Sequence, residues 1–209
     1  AQQIQTQEVY SLINALNPRQ LANVIVALWG EKGEDRENSE EIFNKFTGLQ
    51  LVNILEQVVG SRPDIAVALW ESLPSSDIKD ELMNSKLAAG FIAKMVKQKK
   101  ELYLQITDPA RQESVLKILA ADIEGAQIIT ENIKNKQAKD IENLVNILSP
   151  GGVANVIVSL WGANGEGEEK VRELFAAFTS TQLYNVLEQI NQIKTGIADA
   201  IWNGLSPEV

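Results

Sequence analysis

One long segment of the chain occurs twice at a constant offset. "LNPRQLANVIVALWGEKGE" from Leu16 corresponds to "LSPGGVANVIVSLWGANGE" from Leu148, 132 residues later. The match continues without a gap: Trp29 with Trp161, Phe43 and Phe46 with Phe175 and Phe178, Leu55-Glu56-Gln57 with Leu187-Glu188-Gln189, and Trp70 with Trp202. In full, residues 8–75 recur as residues 140–207. A gapless match through loops as well as helices requires equal loop lengths and equal helix register, so the copies are expected to superpose loop for loop. The organisation expected is therefore copy one over residues 1–75, a middle segment over 76–139 and copy two over 140–209. The middle reads either as a divergent third copy or as a separate helical linker. Leu87-Ala88 lies 66 residues, half the offset, after Leu21-Ala22.

The periodicity is helical. Leu21, Val24, Ile25 and Leu28 fall at i, i+3, i+4 and i+7, as do Leu51, Ile54, Leu55 and Val58, which gives each segment one apolar stripe to bury. Asn17-Pro18, Asp108-Pro109 and Ser149-Pro150 place a capping side chain before a proline whose missing N–H costs nothing in the first turn. Thr47 with Gln50 and Thr179 with Gln182 have capping-box spacing. Gly30, Gly33, Gly162 and Gly165 stop the preceding helix. One copy reads as five helices: one ending at Leu16, Pro18 to Trp29, Glu40 to Phe46, Leu49 to Val59, and Asp64 to Ser72. The fold class expected is all-α, a right-handed superhelix or solenoid of stacked antiparallel helices.

Histidine and cysteine are both absent. That removes the commonest general base, the Ser-His and Cys-His nucleophile pairs, disulfides, and the usual zinc and copper ligands. The recurring carboxylates Glu41, Glu56, Glu173 and Glu188 occupy helix positions where charge is ordinary, and no catalytic constellation emerges. The net charge of -9 opposes a broad phosphate footprint, so no nucleic-acid partner is expected. Its distribution is uneven. Residues 1–75 carry 5 basic and 10 acidic side chains, residues 76–139 carry 11 and 9, and residues 140–209 carry 3 and 9.

The pattern L-[NS]-P-x-x-[LV]-A-N-V-I-V-x-L-W, then F-x-x-F-T-x-x-Q-L-x-N-x-L-E-Q and I-A-x-A-[IL]-W-x-x-L, resembles the helical superhelix of two families. These are the intracellular N-terminal domain of bacterial magnesium transporters and the flagellar motor switch proteins. The resemblance implies a magnesium-sensing or assembly role.

Four sets of residues are candidates for function, each beside a plainer reading. The loop acids Glu31, Glu34, Asp35 and Glu37, with Glu166, Glu168 and Glu169, suit magnesium or calcium, which take oxygen ligands; they also suit solvated loops near a helix start. Trp29, Trp70, Trp161 and Trp202 read as packing between helices or as anchors for a partner. Asn23, Asn53, Asn155 and Asn185 sit among apolar neighbours, where amides bind a peptide backbone or satisfy the fold's own groups. The lysines Lys86, Lys94, Lys97, Lys99 and Lys100 form a solvated face, or else meet acidic groups of a neighbouring copy or molecule.

These features lead to a non-enzymatic protein-interaction or scaffold module, engaging a protein partner or itself, with no cofactor. The alternative is a magnesium- or calcium-sensing regulatory domain built on the acidic loops. Apolar runs such as Val24 to Trp29 fall well short of a membrane span, so no insertion by this segment is expected. The lack of glycosylation sequons favours a cytoplasmic over a secreted origin. Ala1 at the start, and Ser206-Pro207 placed like the helix start at Ser149-Pro150, suggest a piece of a longer protein that continues beyond Val209.

Overall fold

In the computed structural model, which describes residues 11, 15–73, 76–84, 88–133, 138–176 and 178–204, every regular element is helical. Most of the helix expected to end at Leu16, together with Lys86, Leu87 and Ser206-Pro207, lies outside the described residues. Among the described residues, no helix is long and apolar enough to cross a membrane.

The first helix, α1 (Pro18–Trp29), begins with a complete capping box. The Asn17 side chain accepts from the Gln20 N–H, and the Gln20 side chain accepts from the Asn17 N–H, both at 3.0 Å. Two donors that the helix cannot pair internally are thereby satisfied. α2 (Arg36–Phe43) starts four residues before the expected Glu40. Its first turn is held by an Arg36–Glu40 ion pair at 2.6 Å and by the Asn38 amide donating to Asp35 at 2.6 Å. It stops at Phe43, after which tight bonds from Lys45 N–H to the Ile42 carbonyl and from Phe46 N–H to the Phe43 carbonyl turn the chain. Phe46 is nonetheless buried.

α3 (Gly48–Ser61) lacks the expected capping box: Thr47 makes no side-chain cap bond, and the Gln50 N–H goes to the Thr47 carbonyl instead. α4 (Pro63–Ser72) is set off from α3 by Arg62, whose extended backbone (φ -140°, ψ 79°) follows from the proline after it. Next come α5 (Ser76–Asn84), α6 (Ala89–Gln98), a 3-10 helix at Lys100–Gln105, α7 (Pro109–Leu119), α8 (Ile123–Ile133) and α9 (Ala138–Ile147). The described chain ends with α10 (Pro150–Trp161), α11 (Glu168–Ala176) and α12 (Ser180–Gly204). At the start of α12 the capping box does form, with Thr179 N–H donating to Gln182 at 2.9 Å and Gln182 N–H to the Thr179 hydroxyl at 3.3 Å. α12 is broken at Lys194 (φ -157°, ψ 90°), the position equivalent to Arg62.

The chain divides into two compact units, Ala1–Arg111 and Gln112–Val209. In unit 1, α1 packs against α2 and α3, while α3 and α4 pack against each other and against α6. Ile25, Phe43, Leu51, Ile54, Val58 and Leu69 are fully buried. The Ser39 hydroxyl, buried with them, lies 3.3 Å from the Ile25 carbonyl and 3.1 Å from the Asp35 carbonyl, so its burial leaves nothing unsatisfied. In unit 2, α10 packs against α8, α11 and α12 around Ile157, Val171, Phe175 and Ile190. Gly152 brings α10 close to the end of α7: a Cβ there would stand 3.2 Å from the Ala120 Cβ.

Candidate functional site

The glycine loops are built around their own tryptophans. After α1, Gly30 takes φ 76° and ψ -177°, a conformation almost restricted to glycine; after α10, Gly162 takes φ 76° and ψ -172°. A side chain at either position would also collide with a carboxylate, that of Glu34 or of Glu166. Those carboxylates fold back on their own loops. Lys32 N–H donates to Glu34 at 3.0 Å, and Asn164 N–H donates to Glu166 at 3.2 Å. The bond from Lys32, with a weaker one from the Glu34 N–H, holds the Glu34 carboxyl below its ordinary pKa. The Arg36 guanidinium lies over the Trp29 ring, 5.4 Å from its centre.

The remaining loop acids are dispersed. Asp35 accepts from Asn38, and Glu168 is paired with Arg172 at 2.6 Å, while Glu31, Glu37 and Glu169 are exposed. Among the described residues, no group of three or more acidic side chains converges on a point where a metal ion would sit. The structure thus brings the expected ligands onto shared loops but not around a shared centre.

The four repeated asparagines occupy different surroundings. Asn155 is half-buried and donates from Nδ2 to the Ala120 carbonyl at 2.9 Å, which ties α10 to the end of α7. Its counterpart Asn23 is exposed, as is Asn185. Asn53, also exposed, lines an open surface cleft of about 430 Å³ with Asn17, Pro18, Arg19 and Gln57.

Of the lysines, Lys94 and Lys100 are exposed and Lys97 is half-buried. Lys99 forms an ion pair with Glu71 at the end of α4, and this bond raises the Lys99 pKa. Lys79 donates to the Glu71 backbone carbonyl at 3.1 Å. Basic groups that follow the first repeat segment therefore meet the acidic end of its last helix.

The tryptophans separate most clearly. Trp29 and Trp70 are buried at 7% and 1% exposure, Trp161 is half-buried, and Trp202 is 64% exposed. The Trp70 ring packs against Phe91 of α6, centroids 6.3 Å apart and planes tilted by 55°. Two further residues of α12, Tyr184 (69% exposed) and Ile193 (40%), also present large apolar groups to solvent. Neither is an identity of the repeat: Tyr184 stands where the first segment has Val52, and Ile193 where it has Ser61, so the signal for both lies in the differences between the copies.

Comparison with known proteins gives no match: no family model, no curated protein and no solved structure is significantly similar to this chain.

Proposed function

We propose that the chain is a non-enzymatic protein-interaction or scaffold module of the helical-repeat class. In this reading the duplication at an offset of 132 residues is a structural repeat of about five helices, and its copies stack as antiparallel helices in a right-handed superhelix. Several local features support the reading. α10 begins and ends 132 residues after α1, the glycines that follow them share φ 76°, and Lys194 breaks α12 where Arg62 parts α3 from α4. The lack of histidine and cysteine supports binding over catalysis.

The observation that carries the proposal is that each repeat segment packs against a helix from the sequence between the two. α4 packs against α6 within unit 1, and α10 packs against α8 within unit 2. A repeat whose faces require a neighbouring helix offers, at any face not so covered, a surface for another polypeptide. Crosslinking followed by mass spectrometry, with sedimentation equilibrium over micromolar concentrations, tests this. Absence of both a partner and self-association would sink it.

A further inference from the structure

The two repeat segments differ sharply in exposure at four corresponding positions on α3, α4 and α12. In unit 1, Val52, Leu55, Val59 and Trp70 are exposed by only 1%, 0%, 3% and 1%. They lie on α3 and α4, the helices that pack against α6. In unit 2 the same four positions hold Tyr184 (69% exposed), a half-buried Leu187, an exposed Asn191 and Trp202 (64% exposed). The cover in unit 1 has a definite chemistry. Phe91, Ile92 and Met95 of α6 are buried, Phe91 lies against Trp70, Lys94 is exposed, and Lys99, one residue past the helix, pairs with Glu71.

We infer that the Trp202–Tyr184 face of unit 2 is a docking site for a basic amphipathic helix of a partner protein, a helix of the α6 kind. The inference rests on the interaction-module reading and adds to it the location of the surface and the class of partner. Three observations select this occupant. First, in unit 1 Trp70 lies against Phe91 of such a helix, and α3, which carries the other three positions, packs against that helix in this same molecule. Second, residues 140–209 carry 9 acidic and only 3 basic side chains, which steers a cationic helix toward unit 2. Third, the face keeps its tryptophan but exchanges Val52 for Tyr184 and Val59 for Asn191. Aromatic groups beside amides are stable in water and dominate contact energy when covered, the composition of a reversible interface.

A second copy of the chain is the weaker occupant. Its α6 already has its apolar face buried in its own unit. Its α1 carries Gln20 where α10 has Gly152, and Gly152 is what permits the close approach to Ala120.

The test uses the whole chain and a fluorescently labelled synthetic peptide of residues 88–100, AAGFIAKMVKQKK, in an anisotropy titration. Saturable binding is expected. Trp202→Ala should weaken it roughly 30-fold, as for an interface hot spot, and Tyr184→Ala by a smaller factor. Leu49→Ala, at an exposed apolar residue of unit 1, should leave it unchanged. Raising the salt concentration should weaken binding. Because Trp202 is exposed, the W202A chain should retain the parent melting temperature, which separates lost binding from lost folding. No binding at about 1 mM peptide, near the weak limit of measurable association, would overturn the inference, as would binding indifferent to W202A. Dimerisation abolished by W202A would assign the face to a second copy and would also overturn it. If the peptide fails while crosslinking finds a partner elsewhere on the chain, this inference falls and the interaction-module reading stands.

Discussion

Trp70 and Trp202 occupy the same place in two segments of closely related sequence, yet one is buried against Phe91 and the other is largely in water. Asn23 and Asn155 differ in the opposite sense: the first is exposed, and the second is drawn against the end of α7 by its bond to the Ala120 carbonyl. Unit 1 thus covers the late face of its repeat segment, and unit 2 covers the early face of its own. The contrast separates two kinds of residue within one repeat. Some, such as Ile25 and Ile157 or Val58 and Ile190, are buried in both units. Others, such as Trp70 and Trp202, are buried in one unit and exposed in the other.

The largest expected effect tests this contrast directly. Trp70→Ala should cost roughly 3–5 kcal/mol in urea unfolding, the usual range for removing a buried aromatic side chain. Trp202→Ala should stay within about 0.5 kcal/mol, as at surface sites away from special features. Equal losses from the two would break the comparison.

The glycine loops should behave alike where the tryptophans do not. Gly30→Ala and Gly162→Ala each force a side chain into a positive-φ conformation and against a carboxylate. Each should cost on the order of 1–3 kcal/mol. A loss at one loop only would show that the two turns are not mechanically equivalent.

Asn155→Ala should destabilise by about 1–2 kcal/mol, because it leaves the Ala120 carbonyl without that donor. Asn23→Ala, on the exposed counterpart, should be near neutral. Chemical denaturation of the two variants side by side measures the difference.

The smallest effect concerns pH. Arg62 makes two bonds to Asp64, at 3.0 and 2.7 Å, and this guanidinium holds the Asp64 pKa below its ordinary 3.8. A carboxyl whose pKa is lower in the folded state contributes stability above its unfolded pKa and loses it as pH falls through the folded value. The pair is substantially exposed, so the contribution should be small. Unit 2 has Lys194 and Gly196 at these positions and no such pair. Asp64→Asn should therefore flatten slightly the acid limb of stability below pH 4, read by thermal melts at pH 2 to 7; an unchanged limb would remove the pair from the account.

The helix starts were legible because their causes are local. Asn17-Pro18 and Ser149-Pro150 carry their own caps, and the glycines after Trp29 and Trp161 carry their own backbone preference. α2 starts four residues before the apolar pattern predicts, because Arg36–Glu40 and Asn38–Asp35, both short-range polar pairs, hold a turn ahead of it. The Thr47–Gln50 spacing matches that of Thr179–Gln182, but only the second forms its box. Spacing permits a cap; side-chain rotamers and neighbours decide whether it closes.

What the linear order of residues could establish was the helical class, the repeat register, the helix-breaking glycines and the charge contrast, all of which arise from contacts a few residues apart or from simple counting. The fate of each tryptophan, the structural use of Asn155 and the open Tyr184–Trp202 face depend on which distant helix comes to lie against a given side. That is a matter of three-dimensional neighbours, and two segments related by one repeat meet it with different ones.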